Sequence, residues 1–387
     1  MARCAEGPSA HQRTSLVAEA FLLLQGVRVV HQRGLISRSG MATMNSLQRK
    51  INVLGVATWI FAFGSSTANV VAQPILGGIS GREIRVPGCE SLGRSPVITS
   101  VRLQPGATRL AVAGDDHLVS IWDWAEDRLV FQLRGHQDWV QSLAFSPDGR
   151  VLVSAGNDRR VIFWDTHNGQ RLGDLEALPC AVTQLSFNHR GDQLAVTGFD
   201  GGVRVYDVVG RRMVRTLEGS SPDLRALAYS PDDRWIAVGG RDGRISVWRT
   251  DNGERVSHYA AHRQRVRDLA FSPLGEQLVS CGEDRRVHVR CLRERRGFDL
   301  PSSSGKVYAL TFFSPTHLAT GGSDNVVRLW DLEERLQVGE LRDHHGSIAA
   351  LASNGEILVS GGFDTTIRLW DLQGRVAGLP RRGIERQ

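Results

Sequence analysis

The sequence predicts an all-β protein built from seven copies of one small antiparallel sheet, and three observations carry that prediction. First, Gly135 to Asp165, GHQDWVQSLAFSPDGRVLVSAGNDRRVIFWD, holds three short apolar runs, Val140 to Phe145, Val151 to Ala155 and Val161 to Trp164. The intervening SPDG and GNDRR read as tight turns. Second, the slot of Trp164 recurs as Trp122, Trp164, Tyr206, Trp248, Arg290, Trp330 and Trp370, at spacings of 42, 42, 42, 42, 40 and 40. Third, six residues before each mark stands an aspartate: Asp116, Asp158, Asp200, Asp242, Asp284, Asp324 and Asp364.

Each unit justifies its strands in the same way. Three and five residues after every aspartate the side chain is apolar, as in Val161 and Phe163, Val203 and Val205, or Ile367 and Leu369, the period of a strand with one face buried. A lone three-stranded sheet cannot bury both faces, so copies must cover one another. With Gly135 and His136 ahead of the unit and Trp-Asp pairs at Trp122, Trp164, Trp330 and Trp370, the chain resembles the WD40 repeat family over about residues 82 to 371. It departs from that pattern at Tyr206, at Arg249 after Trp248, and at Arg290 with Cys291. The resemblance implies a seven-bladed β-propeller of four-stranded antiparallel blades spanning residues 82–387.

Four residue types in each unit are placed to hydrogen-bond in series and close on the indole N–H. The complete sets are His136, Ser154, Asp158 and Trp164, and His344, Ser360, Asp364 and Trp370. The fifth unit has His262, Ser280 and Asp284 but ends at Arg290; the sixth has Thr320, Asp324 and Trp330 with Ser303 in the histidine slot. Ser, His and Asp together also evoke a nucleophile with its base. A catalytic set is needed once and this one recurs, so the expectation is a structural network with no catalytic residue.

Ahead of the repeats the composition changes. Residues 1–72 carry seven Lys and Arg against two Glu, so of 47 basic and 41 acidic residues the remainder keeps 40 and 39, a balance of +1. The basic pI near 9.4 therefore resides in the leader, and a nucleic-acid partner is not expected of the repeats. Gln48-Arg49-Lys50, the apolar run Ile51 to Gly64 and the small residues ending at Ala72 fit a signal peptide over about 44–72, with 1–40 an upstream extension. The run falls short of the ~20 residues of a membrane span, so the mature chain is expected to have none. Use of the signal predicts export, periplasmic or secreted; otherwise the protein is cytoplasmic.

A linker, Gln73 to Gly81, leads to REIRV at Arg82 to Val86. In resembling propellers the last blade takes a strand from the opposite terminus, and here Arg82 to Val86 and Arg375 to Leu379 both qualify. Cys4, Cys89, Cys180, Cys281 and Cys291 show no zinc or redox spacing, and the turn near Asp284 is expected to set Cys281 opposite about His288. No phosphate-binding, metalloprotease, nucleophile-elbow or dinucleotide fingerprint occurs, and neither metal nor cofactor is expected.

What is left is a surface. The resemblance implies that the residue before each aspartate and those entering the first strand share one rim, gathering Phe199, Arg241, Glu283 and Phe363 with Trp139, Arg225, Arg265 and Arg267. Aromatic and arginine side chains dominate interface energetics. The expected function is a non-catalytic scaffold that docks protein or peptide partners on this rim, the arginines favouring an acidic partner. The alternative is a propeller enzyme with a metal or cofactor site in its central channel.

Overall fold

The computed structural model describes residues 81–86 and 93–372. The leader with the signal peptide expected there, the linker up to Ser80, Cys4, Cys89 and the strand expected at Arg375 to Leu379 lie outside the described residues.

The described chain contains 28 strands and no helix. Strand β1 (Arg82–Arg85) comes first. Blade one follows as β2 (Ile98–Leu103), β3 (Arg109–Gly114), β4 (Leu118–Asp123) and β5 (Arg128–Arg134), and blade two as β6 (Val140–Phe145), β7 (Val151–Gly156), β8 (Val161–Asp165) and β9 (Arg171–Asp174). Blade three is β10 (Val182–Phe187), β11 (Gln193–Gly198), β12 (Gly202–Asp207) and β13 (Arg212–Glu218); blade four is β14 (Leu224–Tyr229), β15 (Trp235–Gly240), β16 (Arg244–Arg249) and β17 (Arg255–Ala260). Blade five is β18 (Val266–Phe271), β19 (Gln277–Gly282), β20 (Val287–Cys291) and β21 (Gly297–Asp299); blade six is β22 (Val307–Phe312), β23 (His317–Gly322), β24 (Val327–Asp331) and β25 (Leu336–Leu341). Blade seven has only β26 (Ile348–Ser353), β27 (Ile357–Gly362) and β28 (Thr366–Asp371) from its own stretch of chain.

Its fourth strand is β1, paired antiparallel to β28 with Arg82 opposite Leu369 and Arg85 opposite Thr366. Of the two candidate closers, REIRV is the one that joins, and Ile84, 2% exposed, packs in the cluster between blades seven and one. The first strands of successive blades touch all the way round, β26 returning to β2, so the seven sheets form a closed ring.

Local chemistry explains why every unit keeps its aspartate. The turn between the second and third strands puts the residue after the aspartate at positive φ: His117, Arg159, Gly201, Gly243, Arg285, Asn325 and Thr365. The aspartate carboxylate accepts the N–H two residues on, as Asp158 does from Arg160 at 3.1 Å, and this Asx turn offsets the cost of the left-handed residue. Two residues earlier a glycine ends the second strand. A Cβ on Gly156 would lie 2.0 Å from the Trp139 carbonyl oxygen, because the first strand bulges there, skipping Gln141 between Val140 and Ser142. The same skip recurs in all seven blades.

Apolar side chains collect in seven clusters, one at each interface between adjacent blades. Trp164 packs with Ala111, Ile121 and Leu133 of blade one, and Trp330 with Val279 and Val289 of blade five, so each mark anchors its blade to the one before. The expectation of one buried face is corrected here. Val161, Ile162, Phe163 and Trp164 are all at most 2% exposed, because a propeller blade has a neighbour on both sides. The cysteine register also differs: Cys281 lies opposite Val287, and Ser280 opposite His288, since the Asx turn is one residue tighter than the spacing implied. Cys180, Cys281 and Cys291 are free thiols.

Candidate functional site

Antiparallel topology fixes which side chains share a rim. The first strand leaves the end of the blade at which the second strand finishes, so the loops entering first strands and the turns between second and third strands lie together. Trp139 and Arg225 enter or begin β6 and β14; Phe199, Arg241, Glu283 and Phe363 occupy the second-to-third turns of blades three, four, five and seven. Trp139, Phe199 and Phe363 are 43%, 40% and 52% exposed, among the most exposed large apolar side chains of the described chain.

The arginines are less free than the sequence reading assumes. Arg225 donates from Nε to Asp223 at 2.9 Å, and its guanidinium carbon lies 4.6 Å from the Phe199 ring centroid. Arg265 bridges blades, reaching Asp223 at 2.7 Å and Glu283 at 2.9 Å with its side chain only 24% exposed. Arg267 lies 4.9 Å over Tyr308, with its closest carboxylate oxygen, that of Glu283, at 3.7 Å. Lys306 also donates to Glu283, at 3.2 Å. Burial raises the pKa of Glu283, but the hydrogen bonds from Arg265 and Lys306 outweigh it and hold the carboxyl below its usual range. Arg241 remains exposed. Asp223, Lys306 and Tyr308 escaped sequence reasoning. Asp223 and Tyr308 could have been found by alignment of the units, since both fall beside the start of a first strand.

The hydrogen-bonded sets have the following geometry. Trp164 Nε1 donates to Ser154 Oγ at 2.8 Å, Ser154 Oγ lies 2.8 Å from His136 Nε2, and His136 Nδ1 lies 2.8 Å from Asp158 Oδ2. Blade seven repeats it with Trp370, Ser360, His344 and Asp364 at 2.9, 2.7 and 2.8 Å. In blade five His262 joins Ser280 and Asp284, both at 2.9 Å, and Arg290 stacks 3.8 Å over Tyr259 of blade four, so a cation over a ring replaces the indole at the same interface. In blade six Trp330 donates to Thr320 at 2.8 Å, and Asp324 pairs with Arg328 at 2.7 Å and Ser304 at 2.5 Å. The Trp, Ser, Thr and His members of these sets are buried, while Asp158, Asp284, Asp324 and Asp364 are half-buried at the turn and Ser304 is exposed.

The ring encloses a channel. Its middle is marked by Arg102, Gln184 and Asp268, with a polar void of about 80 Å³ toward the rim described above and a wider one of about 500 Å³, walled by Phe145, Phe187, Phe271 and Phe312, toward the other. Burial pushes the Asp268 carboxyl up to about 6 against the Leu310 N–H, which donates to it at 3.0 Å. Among the described residues no group of three or more His, Cys, Asp or Glu is placed to hold a metal ion. Among the same residues no helix is long and apolar enough to cross a membrane.

Fold and geometry together define a seven-bladed propeller whose repeated polar residues serve its own blade joints. A comparison with protein families finds the WD domain, G-beta repeat, at residues 89–123, 127–165, 169–207, 211–249, 253–290, 294–331 and 335–371, and the chain belongs to the WD40 family. No curated protein matches it in a sequence search.

Proposed function

We propose that this protein is a non-catalytic scaffold that docks a protein or peptide partner on the rim bearing Trp139, Phe199 and Phe363. The observation that carries this reading is the coincidence of those exposed rings with the arginine cluster on the same rim. WD40 propellers generally bind proteins, and desolvated aromatic anchors beside arginine are the residues that hold interfaces. The surplus of guanidinium groups favours an acidic segment, and the partly exposed Arg225–Phe199 stack offers it both a charge and an apolar face. The leader's basic and apolar runs support export of the mature propeller.

The test is affinity capture by the wild-type chain against Trp139→Ala with Phe199→Ala, and against Leu274→Ala on the opposite rim. A partner that is retained by wild type and the Leu274 variant, and lost from the double variant, fits the proposal. Equal retention by all three moves the interface elsewhere.

A further inference from the structure

The residue skipped by the bulge in each first strand lines the void at the channel mouth. In blades one, two, three, six and seven that position holds Thr99, Gln141, Thr183, Tyr308 and Ala349; in blades four and five it holds Arg225 and Arg267. Three residues further along β2 is Arg102, where the six other first strands carry Ala144, Ser186, Ala228, Ala270, Thr311 and Ala352. Six small side chains leave room for one large one. All three guanidinium groups line the same void of about 80 Å³.

Arg225 is paired with Asp223 at 2.9 Å, whereas Arg102 and Arg267 are under-matched. Among the described residues the one hydrogen bond of Arg102 runs to its neighbour's carbonyl, Val101 O, at 2.8 Å. Arg267 has its nearest carboxylate at 3.7 Å, and that carboxylate, Glu283, is already held by Arg265 and Lys306. Around the mouth, Arg102, Arg225, Arg265, Arg267 and Lys306 face Asp223, Asp268 and Glu283, five cations against three anions. Asp268 turns its oxygens to the N–H groups of Leu269 and Leu310, at 2.9 and 3.0 Å. Poorly hydrated guanidinium groups with open donors attract an anion, and their fork geometry suits a carboxylate.

We propose that the channel mouth receives one carboxylate side chain, Asp or Glu, of an extended partner segment, paired by Arg267 and Arg102. The proposal rests on the rim reading and adds the chemistry of the bound segment. The void has room for a carboxyl with its methylene, and the unpaired guanidinium donors decide the class. The exposed rings of Trp139 and Phe199 on the same rim would hold the flanking residues of a segment crossing it.

The test uses the full chain and small probes. Chloride-35 line broadening reports an open cationic site, with N-acetylglutamate α-amide, N-acetylglutamine amide and inorganic phosphate as competitors. The expected result is chloride broadening reversed by the glutamyl compound and unaffected by the glutaminyl one. Arg267→Gln and Arg102→Gln should each weaken the glutamyl competition about tenfold, the loss of a hydrogen bond to a charged group, while Arg234→Gln on the opposite rim leaves it unchanged. Arg267→Lys, which keeps the charge and most of the stem, guards against a folding artefact and should retain part of the competition. Equal competition by both amides, stronger competition by phosphate, or broadening that survives in the Arg102, Arg267 double variant overturns the proposal. Capture of a partner that depends on Trp139 and Phe199 but is indifferent to both channel arginines overturns it too, and leaves the rim reading standing.

Discussion

The hydrogen-bond chain from Trp164 to Asp158 has a direction. The indole can only donate, so Ser154 Oγ accepts from it and sends its own hydrogen to His136 Nε2; the imidazole then carries its proton on Nδ1 and donates to Asp158. Every buried polar atom in the set has a partner. Trp122 is the contrast: its Nε1 is buried with none, and Val112 stands where blade two has Ser154. Trp164→Phe should therefore cost about 1–3 kcal/mol beyond the lost volume, since Ser154 and its chain lose their donor, while Trp122→Phe removes an unsatisfied N–H and should cost less. Chemical denaturation of the two variants checks the ranking, and equal losses would argue against the network. Acid acts on the same residues. Burial pushes Asp364 up, but hydrogen bonding and charge from His344 outweigh it and hold the carboxyl far below its usual range. Its folded pKa is depressed, so its stabilisation is complete above about pH 4 and fades as pH falls through the folded value. The stability gap between wild type and Asp364→Asn should shrink on acidification below about pH 4. Asp268 has the opposite sign: raised to about 6, it favours the fold below the ordinary carboxyl range and loses that contribution as pH climbs through about 6. Asp268→Asn should flatten the decline between about pH 4 and 6, read as denaturant midpoints across that window. The indole sets were legible in the sequence because serine, aspartate and tryptophan keep one spacing within each unit, with the histidine 22 residues before the aspartate in blade two and 20 before it in blade seven. The Arg290–Tyr259 stack was not, because it joins two units and no offset rule links its partners.

At the scale of the element, the repeated glycine and the repeated bulge are one device. The first strand crosses the end of the second so closely that Gly114, Gly156, Gly198 and Gly322 would each bring a Cβ within 2.2, 2.0, 2.3 and 1.8 Å of a carbonyl oxygen. Gly156→Ala should thus force the strand back and cost more than the ~1 kcal/mol of an ordinary strand-end glycine replacement. Gly355→Ala is the comparison: it sits at φ 90° with its nearest neighbour at 3.5 Å, so its cost is conformational without a clash. Thermal melts of the two variants separate crowding from backbone strain, and a smaller loss for Gly156→Ala would refute the crowding account. The strands themselves were readable from apolar spacing, down to β6 at Val140–Phe145. The bulge was not, because a skipped residue leaves no mark in a hydrophobic pattern. Hence Arg225 and Arg267 looked like rim charges in the sequence, whereas the bulges turn them to the channel mouth.

For the whole molecule, the number of blades followed from counting aspartates, whereas the seam did not. Both flanking runs had strand composition, and the choice fell to the register that buries Ile84 beside Ile98 and Ile367. The leader leads to a separate expectation: if Ile51 to Ala72 is removed, N-terminal sequencing of the mature protein should begin at or within a few residues of Gln73, nine residues before the closing strand. Recovery of intact Met1 in a soluble intracellular fraction would rule that out. The seam also sets a timetable for biosynthesis. Arg82 leaves the ribosome first and its partner Leu369 comes 287 residues later, roughly a quarter-minute to a minute at ordinary elongation rates. Six blades can assemble as they emerge, but throughout that interval β28 does not yet exist and Ile84 lacks the blade-seven half of its cluster. A nascent chain stalled just short of Thr366 would present both an orphaned strand and an open flank on β27, making the interval before β28 emerges the step at which this ring is most open to misassembly.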